Sequence, residues 1–177
     1  MLTPASSNDP LAAAVVTITW LIVLNKPIYP LYVWYFVGDG VAVSALSVLA
    51  VPFYAAVLLI ARRSSLAARV AFVAVATLDT ICETKLFGDA AATELFLAPA
   101  ALIAALSFRA DESRWTKGIL AALYVVFLAA HDHLGAAIHA WTDEQLAHLR
   151  AINIFAVASL TVFVGWKFAG IPRQPAP

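Results

Sequence analysis

The sequence predicts an all-α, polytopic membrane protein: a single transmembrane helical domain over residues 1–177, with six transmembrane helices and both termini cytoplasmic. Three observations carry this. Hydrophobic residues make up 63% of the 177 residues, against about 45–50% in an ordinary soluble domain. Charged residues make up only 12%, too few to cover a water-exposed surface. Apolar stretches approaching the roughly 20 residues of a bilayer-spanning helix recur along the chain. The mean hydropathy of +0.87 agrees. A net charge of zero gives no support to a nucleic-acid partner. The one cysteine, Cys82, excludes an internal disulfide and a multi-cysteine metal cluster.

The first span runs from Leu11 to about Leu24, with Lys26, Pro27 and Pro30 behind it. It is short on that count. Either residues from Ala5 to Pro10 extend it, or it continues through the prolines with a kink. A signal peptide fits this stretch poorly, because no basic residue precedes Leu11 and Asp9 stands where one belongs. Ile28 to Phe36 is rich in aromatics, with Tyr32 and Trp34 at its centre. That composition suits the headgroup level, or a ligand-facing groove. The second span is Val41 to Ala61, the third about Ala67 to Phe87 and the fourth Thr93 to about Phe108. The fifth is Gly118 to about Gly135 and the sixth about Ala151 to Ala169, stopped by Gly170 and Pro172. Alanines throughout these stretches permit close helix approach and leave room for a homodimer interface.

Orientation follows from the basic residues. Arg62, Arg63, Arg69, Arg109, Arg114, Lys117, Lys167 and Arg173 fall on one side, and Lys26, Lys85 and Arg150 on the other. The positive-inside bias places the first group, and both termini, in the cytoplasm.

Ionisable groups within a span are expensive and mark the places to look for function. Asp79 and Glu83 lie four apart in the third span, on one helical face and about 6 Å apart along the axis. Lys85, near the outward end, can pair with one of them if the bundle brings it around. The bland reading is a hydrogen-bonded pair that fixes helix packing. Glu94 starts the fourth span, where an acid also suits the helix dipole. His131, Asp132 and His133 end the fifth span, with His139 beyond. Imidazole and carboxylate are common metal ligands. His131, His133 and His139 with Glu83 form a candidate set for zinc, copper or iron, and haem on His131 or His139 is a weaker variant. In a regular helix His131 and His133 diverge, so a shared metal needs the helix to end there, which Gly135 permits.

Together, Asp39, Asp79, Glu83, Glu94, the 131–139 histidines, Asp132 and Asn153 fall in the outer half of the predicted bundle. The inner half is nearly free of such groups. The expectation is an outward-opening polar pocket, with Asp79, Glu83, Glu94, Tyr32, Trp34 and Asn153 as ligand-binding candidates. The same distribution disfavours a continuous polar path across the membrane. No phosphate loop, HExxH pattern or GxSxG elbow is present.

Leu86-Phe87-Gly88-Asp89, then Thr93-Glu94-Leu95-Phe96, then the basic stretch from Arg109 to Lys117 form a pattern. It resembles part of the six-helix N-terminal membrane sensor domains of bacterial adenylate cyclases, diguanylate cyclases and histidine kinases. The resemblance covers Asp79 to Phe108 by pattern and the rest by helix count and orientation. It implies a sensory or receptor-like module in a bacterial inner membrane, acting on a cytoplasmic signalling partner. Those proteins continue from the last helix into a coiled coil and an output domain, whereas here Gly170 and Pro172 interrupt it. A small intramembrane metal-dependent enzyme and a structural or assembly subunit are the alternative expectations.

Overall fold

The computed structural model describes residues 9–131 and 133–172, and these are helical with no strand among them. Six helical segments follow in order: α1 Pro10–Phe36, α2 Val41–Ala61, α3 Ser65–Phe87, α4 Thr93–Leu106, α5 Ala110–Ala130 and α6 Asp143–Phe168. All but α4 are long and apolar enough to cross a membrane. With its first turn 3-10, α4 extends only about 23 Å, against a hydrocarbon core of about 30 Å.

Local chemistry explains the ends. Asp9 caps α1, its carboxylate accepting from Leu11 N at 3.1 Å, and Pro10 takes the first turn, where no N–H is missed. Ser64 caps α3 by accepting from Ala67 N at 3.2 Å. Thr142 and Gln145 cap α6 reciprocally, at 3.2 and 2.9 Å. That box starts α6 eight residues before the position read from hydropathy alone. Similarly, α5 begins at Ala110 and stops at Ala130. The polar first turns of both helices hide their starts from a hydropathy count.

Prolines shape the helix interiors. A 3-10 turn at Lys26–Ile28 contains Pro27, one at Leu46–Ala50 precedes Pro52, and one at Thr93–Phe96 precedes Pro99. Each proline removes one backbone donor, and the tighter turn absorbs the interruption. The first helix therefore continues to Phe36, and the aromatic stretch forms its last two turns.

The core joins all six helical segments through Leu11, Val15, Ile18, Tyr54, Val57, Phe72, Val73, Leu97, Ile103, Leu123, Val164 and Phe168. A smaller cluster of Val33, Leu86, Phe87, Ala91 and Leu149 closes the other end. The start of α1 and the end of α6 thus lie at one end of the bundle, called the Arg69 end below. The end of α1 and the start of α6 lie at the opposite, Lys26 end. Trp20, Leu49, Phe53, Leu78, Phe155 and Val162 face the perimeter, exposed on four different helices. Apolar surface on that scale needs hydrocarbon around it.

Gly40 makes a local test of the Lys26 end. Its φ is +70°, and a Cβ there would meet the Trp141 ring at 2.0 Å, whereas Gly38, at φ +82°, has open space. Gly40→Ala is expected to destabilise by about 2–3 kcal/mol, and Gly38→Ala by about 1 kcal/mol from backbone strain alone. Unfolding of the detergent-solubilised protein compares the two.

Candidate functional site

The bundle holds two buried polar centres. At the first, the α1 interior delivers Lys26, 8% exposed, to both carboxylates of α3. Its Nζ donates to Asp79 Oδ1 and to Glu83 Oε1, each at 2.7 Å. The Tyr54 hydroxyl of α2 donates to Asp79 Oδ2 at 3.0 Å. One ammonium faces two carboxylates, so the pair read from the sequence sits inside a charged knot of three helices. The Asp79/Glu83 partner is Lys26, correcting the expectation for Lys85. Lys85 instead donates to Leu134 O at 2.9 Å and Ala136 O at 2.8 Å, pinning the 133–141 segment across the bundle end.

A neutral strut lies beside this knot. The Tyr29 hydroxyl donates to Asn153 Oδ1 at 3.1 Å, and Asn153 Nδ2 donates to Ala91 O at 2.9 Å. Asn153 is buried, and bridges α1, α6 and the short turn Asp89–Ala91. Thr93 and Thr84 hydroxyls meet at 3.2 Å, tying the start of α4 to α3. Glu94 receives His131 Nδ1 at 2.9 Å, and His131 stacks on Phe127. Beside these contacts an open cleft of about 460 Å³ is lined by Ala90, Asp143, Leu146, Ala147, Arg150, Ala151 and Ile154. A second recess of about 270 Å³ adjoins it, sharing Ala90, Arg150 and Ile154 and adding Asp89 and Glu94.

The predicted ligand set is therefore distributed. Asp79 and Glu83 meet at the knot, Asn153 lies next to it through Tyr29, and Glu94 borders the second recess. Tyr32 and Trp34 are on the exposed side of α1.

The predicted metal set is separated. His131 and His133 lie past the end of α5, and His133 Nδ1 meets the His131 carbonyl. His139 Nε2 is 3.4 Å from Asp39, and Glu83 is held by Lys26. Among the described residues no group of three or more histidine, cysteine, aspartate or glutamate side chains could hold a metal ion. Asp132 lies outside the described residues, as do residues 1–8 and Arg173.

The second centre puts buried charge at the end of the bundle that the sequence reading leaves nearly free of such groups. Arg69 of α3 is 1% exposed. Its guanidinium forks onto Glu112, Nη1 to Oε2 at 2.6 Å and Nη2 to Oε1 at 2.8 Å. It also donates to Ser107 O at 2.6 Å and Ser65 O at 3.2 Å. Asp9 joins through Arg109 Nη2 at 3.2 Å and the Ser65 hydroxyl. Between the two centres α3 presents Phe72 and Val73, buried against Leu97 and Ile103 of α4. This apolar layer argues against a polar path through the bundle.

Burial alone would raise the Asp9 carboxyl. The Ser65 hydroxyl, the Arg109 and Arg69 guanidiniums and the Leu11 N–H outweigh it, holding Asp9 below its ordinary 3.8. A carboxylate lowered in the folded state stabilises the fold above its unfolded pKa. That contribution is lost as pH falls from 3.8 through the lowered value. Acidification across this window is expected to destabilise the wild type more steeply than Asp9→Asn, measured by unfolding in detergent.

No protein-family model matches this chain, and neither a curated protein nor a solved structure matches it.

Sequence reasoning missed Lys26, Tyr54, Tyr29 and Arg150. The signal for Lys26 was available: a first helix running unbroken from Pro10 to Phe36 puts a lysine inside a span, where it needs a partner.

Proposed function

We propose that this protein is a membrane-embedded sensory or receptor-like module. It crosses the membrane six times, α4 being the short crossing, with both termini cytoplasmic in a bacterial inner membrane. It takes a small ligand in the outward cleft beside Asp89–Ala91 and the first turns of α6. The observation that carries this reading is the linkage between cleft and knot. The cleft-lining turn is bonded through Ala91, Asn153 and Tyr29 to α1, which carries Lys26. A ligand that displaces this turn loads the packing of α1, α3 and α6 together. The Arg69 centre at the far ends of those helices then delivers the change to a cytoplasmic signalling partner or a second copy. The basic-residue asymmetry supports the orientation.

The cleft can be filled from within. In a Cys82→Ala background, spin labels on cysteines replacing Arg114 and Gly170 report the spacing of α5 and α6 at the Arg69 end. Adding Ala90→Trp is expected to shift that distance distribution by about 2 Å, the scale of known interface helix shifts. An unchanged distribution would favour a structural subunit, in which buried charges only pin the bundle.

A further inference from the structure

The cleft carries its own description of the occupant. Its α6 wall is one helical stripe, Asp143, Ala147, Arg150 and Ile154, spaced by four, three and four residues. From the helix tip inward, the stripe reads carboxylate, small residue, guanidinium, apolar side chain. Asp143 to Arg150 is about 10 Å along the axis, and Ile154 lies about 6 Å deeper. Side chains on a helix lean toward its N-terminus, which brings the guanidinium closer to the carboxylate level. The adjoining recess adds Asp89, Leu95 and Glu94, the last already bonded to His131. Among the described residues Arg150 has no ion-pair or hydrogen-bond partner, although it borders both recesses. Just below, Ile154 and Phe155 are exposed to the surrounding hydrocarbon, at 44% and 75%.

We propose that this cleft binds a zwitterionic aminophospholipid of the phosphatidylethanolamine type, with its ammonium at Asp143, its phosphate on Arg150 and an acyl chain along Ile154. The order of chemistry along the lipid matches the order along the stripe. The phosphate supplies the acceptor that Arg150 lacks. A primary ammonium donates hydrogen bonds to carboxylates, which a choline headgroup cannot do. An anionic glycerol headgroup has no cation to set against Asp143. The apolar lower lip requires a ligand with a hydrocarbon tail, so a lipid rather than a soluble zwitterion is the occupant. This inference rests on the receptor reading only for the position of the site.

Native mass spectrometry of the full chain, offered an equimolar mixture of phosphatidylethanolamine, phosphatidylcholine and phosphatidylglycerol with identical acyl chains, tests it. Phosphatidylethanolamine should be retained about fivefold over the other two. Arg150→Ala should lower its retention about fivefold, and Asp143→Asn should bring it level with phosphatidylcholine. Both positions are exposed, so an unchanged melting temperature identifies a folded variant. Equal retention of the three lipids, preference for phosphatidylglycerol, or indifference to Arg150→Ala would overturn the proposal. So would displacement of the lipid by glycerophosphoethanolamine at matched concentration, which would assign the site to a soluble zwitterion. If lipid preference is lost while the spin-label response to Ala90→Trp persists, the ligand class fails and the receptor reading stands. If the preference holds while that response is absent, the lipid site stands and the receptor reading fails.

Discussion

Arg69→Ala is expected to destabilise the protein by about 3–5 kcal/mol, the range for removing one partner of a buried ion pair. The magnitude follows from what is left behind. Glu112 accepts two guanidinium bonds, and the Ser107 and Ser65 carbonyls accept two more. Without Arg69 the carboxylate loses its fork, and the Ser107 carbonyl, at a helix C-terminus, loses its donor. Arg69→Lys should recover only part of the loss, because a lysine is a point charge and cannot satisfy both carboxylate oxygens with the same geometry. Arg69→Met combined with Glu112→Gln should be milder than Arg69→Met alone, since the stranded charge is removed with its partner. Unfolding in mixed micelles measures all four variants. A loss below about 1 kcal/mol for Arg69→Ala, the scale of an exposed pair, would show that water reaches this centre freely.

Lys26→Met is expected to cost a similar amount, about 3–5 kcal/mol, for a different reason. Among the described residues it leaves Asp79 and Glu83 facing each other on one turn of α3 with only the Tyr54 hydroxyl donating to the pair. Two unpaired carboxylates in a medium of low dielectric are worse than one. The triple variant Lys26→Met, Asp79→Asn, Glu83→Gln should regain most of the stability, because no charge is then buried. That non-additivity distinguishes a coupled knot from three independent polar residues. If the single and triple variants lose the same stability, the three side chains are not coupled. The triple variant also separates stability from function: folded, it should blunt the response to Ala90→Trp if the knot transmits the signal.

The membrane class and the helix positions were legible because they depend on summed composition. A window of some 20 residues averages over local detail, so α2 and α3 were placed within two residues. The boundaries that failed were those with polar first turns. The Thr142–Gln145 box and the stretch Ala110–Glu112 begin helices that hydropathy cannot see. Pro27 and Pro30 made the first helix look short, although a 3-10 turn absorbs Pro27 and Pro30 sits in the first turn of the α-helical stretch that follows.

Site pairing was less legible. Asp79 and Glu83 were visible as a pair because four-residue spacing on one helix is local geometry. Their cation was not. Lys85, two residues from Glu83, was nearer in sequence than Lys26, but the helix directs Lys85 toward the 133–141 segment and leaves the knot to α1. Asn153, read from the sequence as a ligand candidate, bonds Tyr29 and the Ala91 carbonyl across helices.

From its residues alone this chain declares hydrocarbon as its surroundings and near-complete helicity, since both depend on local composition and helical repeat. The choice of partners belongs to the tertiary structure. Lys26 reaching Asp79 and Glu83, Arg69 forking onto Glu112, and the histidines parting from one another depend on which helices lie side by side and how each is rotated. An apolar residue packs against almost any neighbour, so the hydrophobic pattern leaves those rotations open. The few buried charges, each costly without its counterpart, select among them.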